Sequence, residues 1–285
     1  MKIPSIKGGW QVLIRAEKCG NYVNDHTLFR DANGWRLIGI TSKGGGPPME
    51  RYFINASGSS LTQQFSERGA IIDTGTLSWA PCVIKEKNLY FMYYGPSPTK
   101  MAVSVDATEW MGYEIKLSAP FLACHRDHYV IKTGESEWLM YAAGITTEGL
   151  SSISCLKSTD LYNWSFCSYA LRCGENAPLK TPWGALESPV VIKRDGLYYL
   201  FVTYTDSGDK TYSDTLVFVS ENPLDFGEYN ANGSGAVPVA KLFAHAGEVI
   251  CENGKTYITT CGWPEKPIPN PGCVSIAELE WVEGE

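Results

Sequence analysis

The stretch Glu187-Ser-Pro-Val-Val-Ile-Lys-Arg-Asp-Gly196-Leu-Tyr-Tyr-Leu-Phe-Val-Thr-Tyr204 reads as two strands around a tight turn, and it opens on a carboxylate. The same plan recurs from Asp25, Trp79, Asp127 and His245, where a short β-rich run reaches a turn-type residue nine positions on, at Gly34, Asn88, Ser136 and Gly254. A second strand follows each turn: Trp35 to Ile40, Leu89 to Tyr94, Glu137 to Ala142, Leu197 to Tyr204 and Lys255 to Thr260. The starts lie 54, 48, 60 and 58 residues apart (79−25, 127−79, 187−127, 245−187), about one four-stranded blade per interval. The period predicts an all-β, five-bladed β-propeller with antiparallel blades around a central channel.

A second signal supports the period. Ser is followed six residues later by an aromatic at Ser59 and Phe65, Ser104 and Trp110, Ser158 and Trp164, and Ser220 and Phe226. Two of these carry Asp106 and Asp160 between them. The expected role is structural: a turn after the third strand, closed by Ser or Asp on nearby backbone, with the ring packed between blades.

The chain has 285 residues, and five units of about fifty residues use all of them, so residues 1–285 are expected to form one propeller domain. A net charge of −7 argues against a nucleic-acid partner, which needs clustered Lys and Arg. No apolar run approaches the ~20 residues needed to span a membrane, and the Met-Lys-Ile-Pro-Ser start lacks the apolar core of a secretory signal. The expectation is a cytoplasmic protein without membrane contact. Nine cysteines with no Cys-x-x-Cys pair read as reduced core thiols.

In a propeller the innermost strands begin at one mouth of the channel, where loops converge. Asp25, Trp79, Asp127, Glu187 and His245 are therefore expected around one funnel. Three clustered carboxylates raise the pKa of at least one of them, as a general acid near neutral pH requires. Glycoside cleavage uses such a set, one acid for the leaving oxygen and one carboxylate as nucleophile or base. All four histidines, His26, His125, His128 and His245, lie at or within two residues of a strand start. Imidazoles there can bond sugar hydroxyls, although strand alternation turns His26 and His128 away from the face that Asp25 and Asp127 use. Trp79, Trp183 (four residues before Glu187) and Trp263 are the candidate stacking surfaces for sugar rings, while Tyr90, Tyr93, Tyr94, Tyr198 and Tyr199 read as packing between blades. Gly44-Gly-Gly-Pro-Pro48 reads as a rim loop.

Asn24-Asp25, Arg126-Asp127 and Glu187-Ser188-Pro189 resemble the three acidic motifs of five-bladed propeller glycoside hydrolases, families 32, 43, 68 and their relatives. Trp79-Ala80-Pro81 resembles the second-blade motif of family 43. The resemblance runs from about Asn21 to Trp281. It implies Asp25 as nucleophile or general base, Glu187 as general acid, and Asp127 as transition-state stabiliser. It further implies Arg126 and Asn24 as groups that bind sugar hydroxyls or steer the carboxylates. His26 and His128 stand where family 32 carries prolines, so the chain departs from that family, and both the retaining and the inverting branch stay open. The implied substrate is an oligosaccharide or small glycoside, cleaved at a fructoside or arabinofuranoside, with no organic cofactor. A channel-bound calcium near His245, as in some family 43 members, stays open as well. Two rivals remain: a non-catalytic carbohydrate-binding propeller, and a metal-dependent sugar hydrolase or lyase using the His and Asp residues.

Overall fold

The computed structural model describes residues 1–18, 20–44, 46–73, 75–118, 124–174, 184–205, 212–230 and 232–284, with the side chains of 70–72 set aside. It is a five-bladed propeller. The first blade pairs Asn24–Asp31, Gly34–Thr41, Tyr52–Gly58 and Ser66–Asp73, the second Trp79–Glu86, Leu89–Gly95, Lys100–Ser104 and Met111–Tyr113. The third pairs Arg126–Gly134, Glu137–Ile145, Ser151–Ser158 and Asn163–Cys173, extended by Lys116–Ser118 and Glu228–Tyr229. The fourth pairs Leu186–Arg194, Leu197–Tyr204, Asp214–Ser220 and Ala240–Phe243. The fifth runs Val249–Glu252, Lys255–Thr260 and Cys273–Glu283, and Lys2–Arg15 completes it as the outermost strand. The N-terminal strand thus closes the ring on the C-terminal blade by backbone pairing from Lys2↔Glu283 to Arg15↔Cys273.

Each blade buries both faces, which is why its middle strand is apolar throughout rather than alternating. In Leu89–Gly95 the side chains of Tyr90, Met92 and Tyr94 pack with Phe29, Ile38 and Phe53 of the first blade. Those of Phe91 and Tyr93 pack with Trp138, Met140 and Trp164 of the third. Three further inter-blade layers of this kind complete the ring. The eight described cysteines are free. The inner hairpins of the fourth and fifth blades turn on Asp195-Gly196 and Asn253-Gly254, all four at positive φ, the pattern of a two-residue turn that matches strand twist. The Ser markers close turns: Ser158 Oγ accepts Leu161 N–H and Asp160 Oδ1 accepts Tyr162 N–H, with Trp164 packed beneath.

One expectation needs correction. In the second, third and fourth blades Trp79↔Gly95 is followed by Cys82↔Tyr93, Arg126↔Ala143 by Tyr129↔Tyr141, and Glu187↔Thr203 by Val190↔Phe201. Three steps on the inner strand oppose two on its neighbour, a β-bulge at the channel mouth. Trp79, Arg126 and Glu187 therefore share one position, with Asn24 in the first blade, whereas Asp25 and Asp127 stand one place further on, level with Ala80 and Ser188. Counting nine residues made Asp127 level with Glu187 because the third blade carries a second bulge between Lys132 and Gly134. It misplaced Asp25 because the first blade turns one residue early, with Asp31 already opposite Gly34. Ala80, Asp127, Ser188 and Ala246 all adopt positive φ (45°, 56°, 49° and 45°), so the bulge re-aims two successive side chains per blade at the mouth.

Candidate active site

Those bulges bring the acids together. Ser188 Oγ donates to Asp25 Oδ1 at 2.9 Å, across 163 residues of sequence, and Ser188 N–H donates to Asp127 Oδ2 at 3.1 Å. Arg126 places Nε 3.4 Å from Asp127 Oδ2 and Nη2 2.8 Å from Glu187 Oε1. Asp25, Ser188, Asp127, Arg126 and Glu187 thus form one connected polar network drawn from the first, third and fourth blades.

Burial sets the electrostatics. It pushes Asp25 up to about 7, with the neighbouring Asp127 charge adding to the rise and the Ser188 hydroxyl opposing it. It also raises Glu187, against the pull of Arg126. Burial lowers His245, and the Glu187 charge opposes that. His245 Nδ1 donates to the Cys261 carbonyl at 2.8 Å, which leaves Nε2 as the acceptor. Tyr212 stacks on the imidazole at 3.8 Å, 16° from parallel.

The other expected residues divide. Trp79 is partly buried against the first and second blades, and its indole N–H closes no well-formed hydrogen bond among the described residues. Trp263 Nε1 donates to Glu50 Oε1 at 2.9 Å, and Asn24 is buried, its amide oxygen accepting the Cys261 thiol. Trp183 lies outside the described residues. The structure buries His26 and His128 in the channel wall, each 4% exposed. His26 Nε2 is bonded to Thr259 Oγ1, and His128 Nε2 to Thr99 Oγ1. In the latter chain Ser154 donates to the Ala142 carbonyl, so His125 Nε2–H donates to Ser154, Thr99 to His125 Nδ1, and His128 Nε2–H to Thr99. Both rings act as neutral spacers in the channel wall.

Two residues escaped the sequence reading. Glu50, 2% exposed, follows a 3-10 turn at Pro47–Met49 and accepts Tyr22 Oη at 2.7 Å as well as Trp263. Burial pushes it up to about 7. Tyr212 is the other. Neither sits on a repeat position, so no period marks them; the Gly/Pro-rich rim loop directly before Glu50 was the one local cue.

Near His245 the described residues hold no group of three or more His, Cys, Asp or Glu arranged for a metal, so they form no protein cage for calcium, which takes six to eight oxygen ligands. The same finding removes the geometric basis for a metal centre built on His26, His128 and His245.

The buried groups also dictate a pH response. Below the mouth a cavity of about 30 Å³ is lined by Asp25, Asp127, His26, His128 and Glu248, and burial pushes Glu248 up to about 8. Burial lowers His26 and His125 to about 3 and His128 well below its ordinary value. Carboxyls raised in the folded state make stability fall as pH rises from about 4 towards 8; histidines lowered in the folded state make it rise until the unfolded imidazoles are fully neutral, near pH ~7.5. Below about 7.5 the two oppose, and above it only the carboxyls act. Unfolding free energy is therefore expected to drop by about 1–2 kcal/mol between pH 6.5 and 8. Urea titrations at both pH values check this, and a flat or rising profile would contradict it.

No protein-family model and no curated protein matches the chain. Solved structures do. A Bombyx mori family 32 β-fructofuranosidase in complex with sucrose aligns at 16% identity and a TM-score of 0.65 over 96% of this chain and 62% of its own. The chain therefore spans less than two thirds of that enzyme's length. A family 43 enzyme from Xanthomonas citri complexed with xylotriose aligns at 10% identity and a TM-score of 0.66, covering 97% of this chain and 91% of its own. A thermostable family 43 glycoside hydrolase aligns at 16% and 0.64, covering 95% and 94%. At these identities the likeness shows the shared five-bladed fold.

Proposed function

We propose that this protein is a glycoside hydrolase that cleaves furanosides, fructosides or arabinofuranosides, in oligosaccharides. The observation that carries the reading is the network joining Asp25, Asp127 and Glu187 through Ser188 and Arg126 at the channel mouth. The structural neighbours with bound sucrose and xylotriose support a saccharide as the ligand.

Glu187, raised by burial, gives its proton to the glycosidic oxygen as the C–O bond breaks, and the Arg126 guanidinium 2.8 Å away stabilises the carboxylate left behind. Asp25, held by the Ser188 hydroxyl, attacks the anomeric carbon or takes a proton from the attacking water. Asp127, fixed by Arg126 and the Ser188 N–H, supplies negative charge beside the positive charge that develops on the sugar ring. His245 Nε2 and the Trp263 ring complete the sugar contacts. No organic cofactor enters this chemistry.

The test is hydrolysis of a panel of aryl furanosides and pyranosides with sucrose and short fructans. Turnover of a furanoside supports the reading. Turnover of pyranosides alone removes the furanoside assignment, and saccharide binding without turnover replaces the hydrolase with a carbohydrate-binding propeller.

Asp25 must be ionised to act, so kcat/KM is expected to rise with pH through about 7. Ser188→Ala removes a hydrogen bond that favours the ionised carboxylate. Its acid limb should move to higher pH, by half a unit or more. An unmoved limb in the variant would show that a group other than Asp25 sets it.

A further inference from the structure

We infer that Glu50, with the Trp79 indole N–H and the Tyr212 hydroxyl, reads hydroxyl groups of the bound sugar and so decides which sugar the site accepts. The inference rests on the hydrolase reading above and adds to it a specificity-determining residue.

Glu50 is 2% exposed and comes from the loop after the second strand of the first blade, outside the repeat that supplies the three acids. Tyr22 Oη and Trp263 Nε1 both donate to one of its oxygens, Oε1, at 2.7 and 2.9 Å. Glu50 Oε2 accepts no hydrogen bond of full geometry among the described residues: the Trp79 indole N–H lies beside the carboxyl and favours its ionised form without closing a well-formed bond to it. Tyr212, only 6% exposed, has a hydroxyl without a partner among the same residues. Burial raises both Glu50 and the Tyr212 phenol, and the Asp25 charge adds to each, so both lie within reach of that carboxylate. Trp79 stands at the channel mouth in the same bulge position as Glu187.

Each buried polar group left unmatched costs about 1–3 kcal/mol. The Glu50 carboxyl with the Trp79 N–H beside it, and the Tyr212 hydroxyl, make a set that a ligand can satisfy. Glu50 accepts when ionised and also donates when protonated, the Trp79 indole only donates, and the Tyr212 hydroxyl does both. An anion would meet Glu50 unfavourably and a cation would leave the indole N–H unmatched, so neutral hydroxyls, which donate and accept, fit all three. A wall built to bond hydroxyls discriminates by leaving its own groups unpaired when a hydroxyl is missing.

The experiment uses the best sugar from the panel and its monodeoxy analogues, with wild type, Glu50→Gln and Trp79→Phe. Steady-state kinetics are measured where turnover occurs. Binding of the same sugars is followed by calorimetry in the Glu187→Gln background in every case. Glu50→Gln is expected to weaken binding of the parent sugar about 10- to 100-fold, mainly in KM, while binding of one particular deoxy analogue hardly changes. Trp79→Phe, which keeps an aromatic six-membered ring but removes the N–H, should do the same for that or a neighbouring position, measured well below the melting temperature of the variant. Equal loss on the parent and on every deoxy analogue would overturn the inference, as would no loss. If no sugar is hydrolysed but the position-specific binding loss appears, the hydrolase reading fails while the hydroxyl-reading wall stands. If no sugar of the panel binds at all, both fall.

Discussion

Glu187→Gln is expected to lower kcat on the best substrate by about 10²–10⁴-fold, with little change in KM, and Asp25→Asn to do the same. Those factors correspond to about 3–5 kcal/mol of barrier. Gln keeps the length of Glu187 and can still accept from Arg126 Nη2, so the network survives while the transferable proton does not. Asn likewise can keep the Ser188 hydrogen bond but is neither a nucleophile nor a base. The two variants should separate on leaving-group chemistry. A nitrophenyl leaving group needs little protonation, so Glu187→Gln should lose much less on a nitrophenyl furanoside than on an oligosaccharide, while Asp25→Asn loses heavily on both. Steady-state kinetics on the two substrates check this. Equal losses on both for Glu187→Gln would deny it the acid role.

Arg126→Met should be the most damaging substitution for stability, by about 3–5 kcal/mol near pH 8, and should also abolish turnover. Arg126 is 6% exposed and bridges Asp127 and Glu187, so an apolar side chain of similar length leaves the buried Asp127 and the half-buried Glu187 without their cation. The sign of the pH dependence follows. Glu187 already lies above its ordinary value despite Arg126, and removing the guanidinium pushes it further up. A carboxyl raised in the folded state favours folding at low pH, and that contribution is lost as pH rises through its folded value. The deficit of the variant should therefore shrink at pH 5 and widen at pH 8. Urea unfolding of both proteins at the two pH values measures it. A deficit below about 1 kcal/mol at pH 8, or one independent of pH, would show that the network is solvated and worth no more than a surface pair.

The propeller was legible because each blade repeats the same physical demand. A strand buried on both faces must be apolar throughout, so Leu89–Gly95 and Leu197–Tyr204 announce themselves, and Asp195-Gly196 and Asn253-Gly254 mark where they turn back. The closing strand was not legible. Lys2–Arg15 alternates poorly and carries Gly8 and Gly9, and only its pairing with Cys273–Glu283 defines it. Bulges escaped the count for a similar reason: one inserted residue leaves the hydrophobic pattern nearly intact while shifting which side chain reaches the mouth. The Lys132 bulge and the early turn at Asp31 shifted Asp127 and Asp25 by one place each.

The sequence by itself determined the number of blades and their order, since periodic burial is a property of local pattern, and its Asn24-Asp25, Arg126-Asp127 and Glu187-Ser188-Pro189 motifs singled out the three acids although these do not share one register. Only the tertiary structure decided that Ser188 and Arg126 tie those acids into one network, that His26 and His128 bond to threonines in the channel wall, and that Glu50 and Tyr212 join the site. Those facts depend on contacts between residues up to 233 positions apart, such as His26 with Thr259, and on burial that raises Asp25 and Glu50. Long-range packing sets both, and a one-dimensional pattern holds no record of which loop folds over the channel mouth.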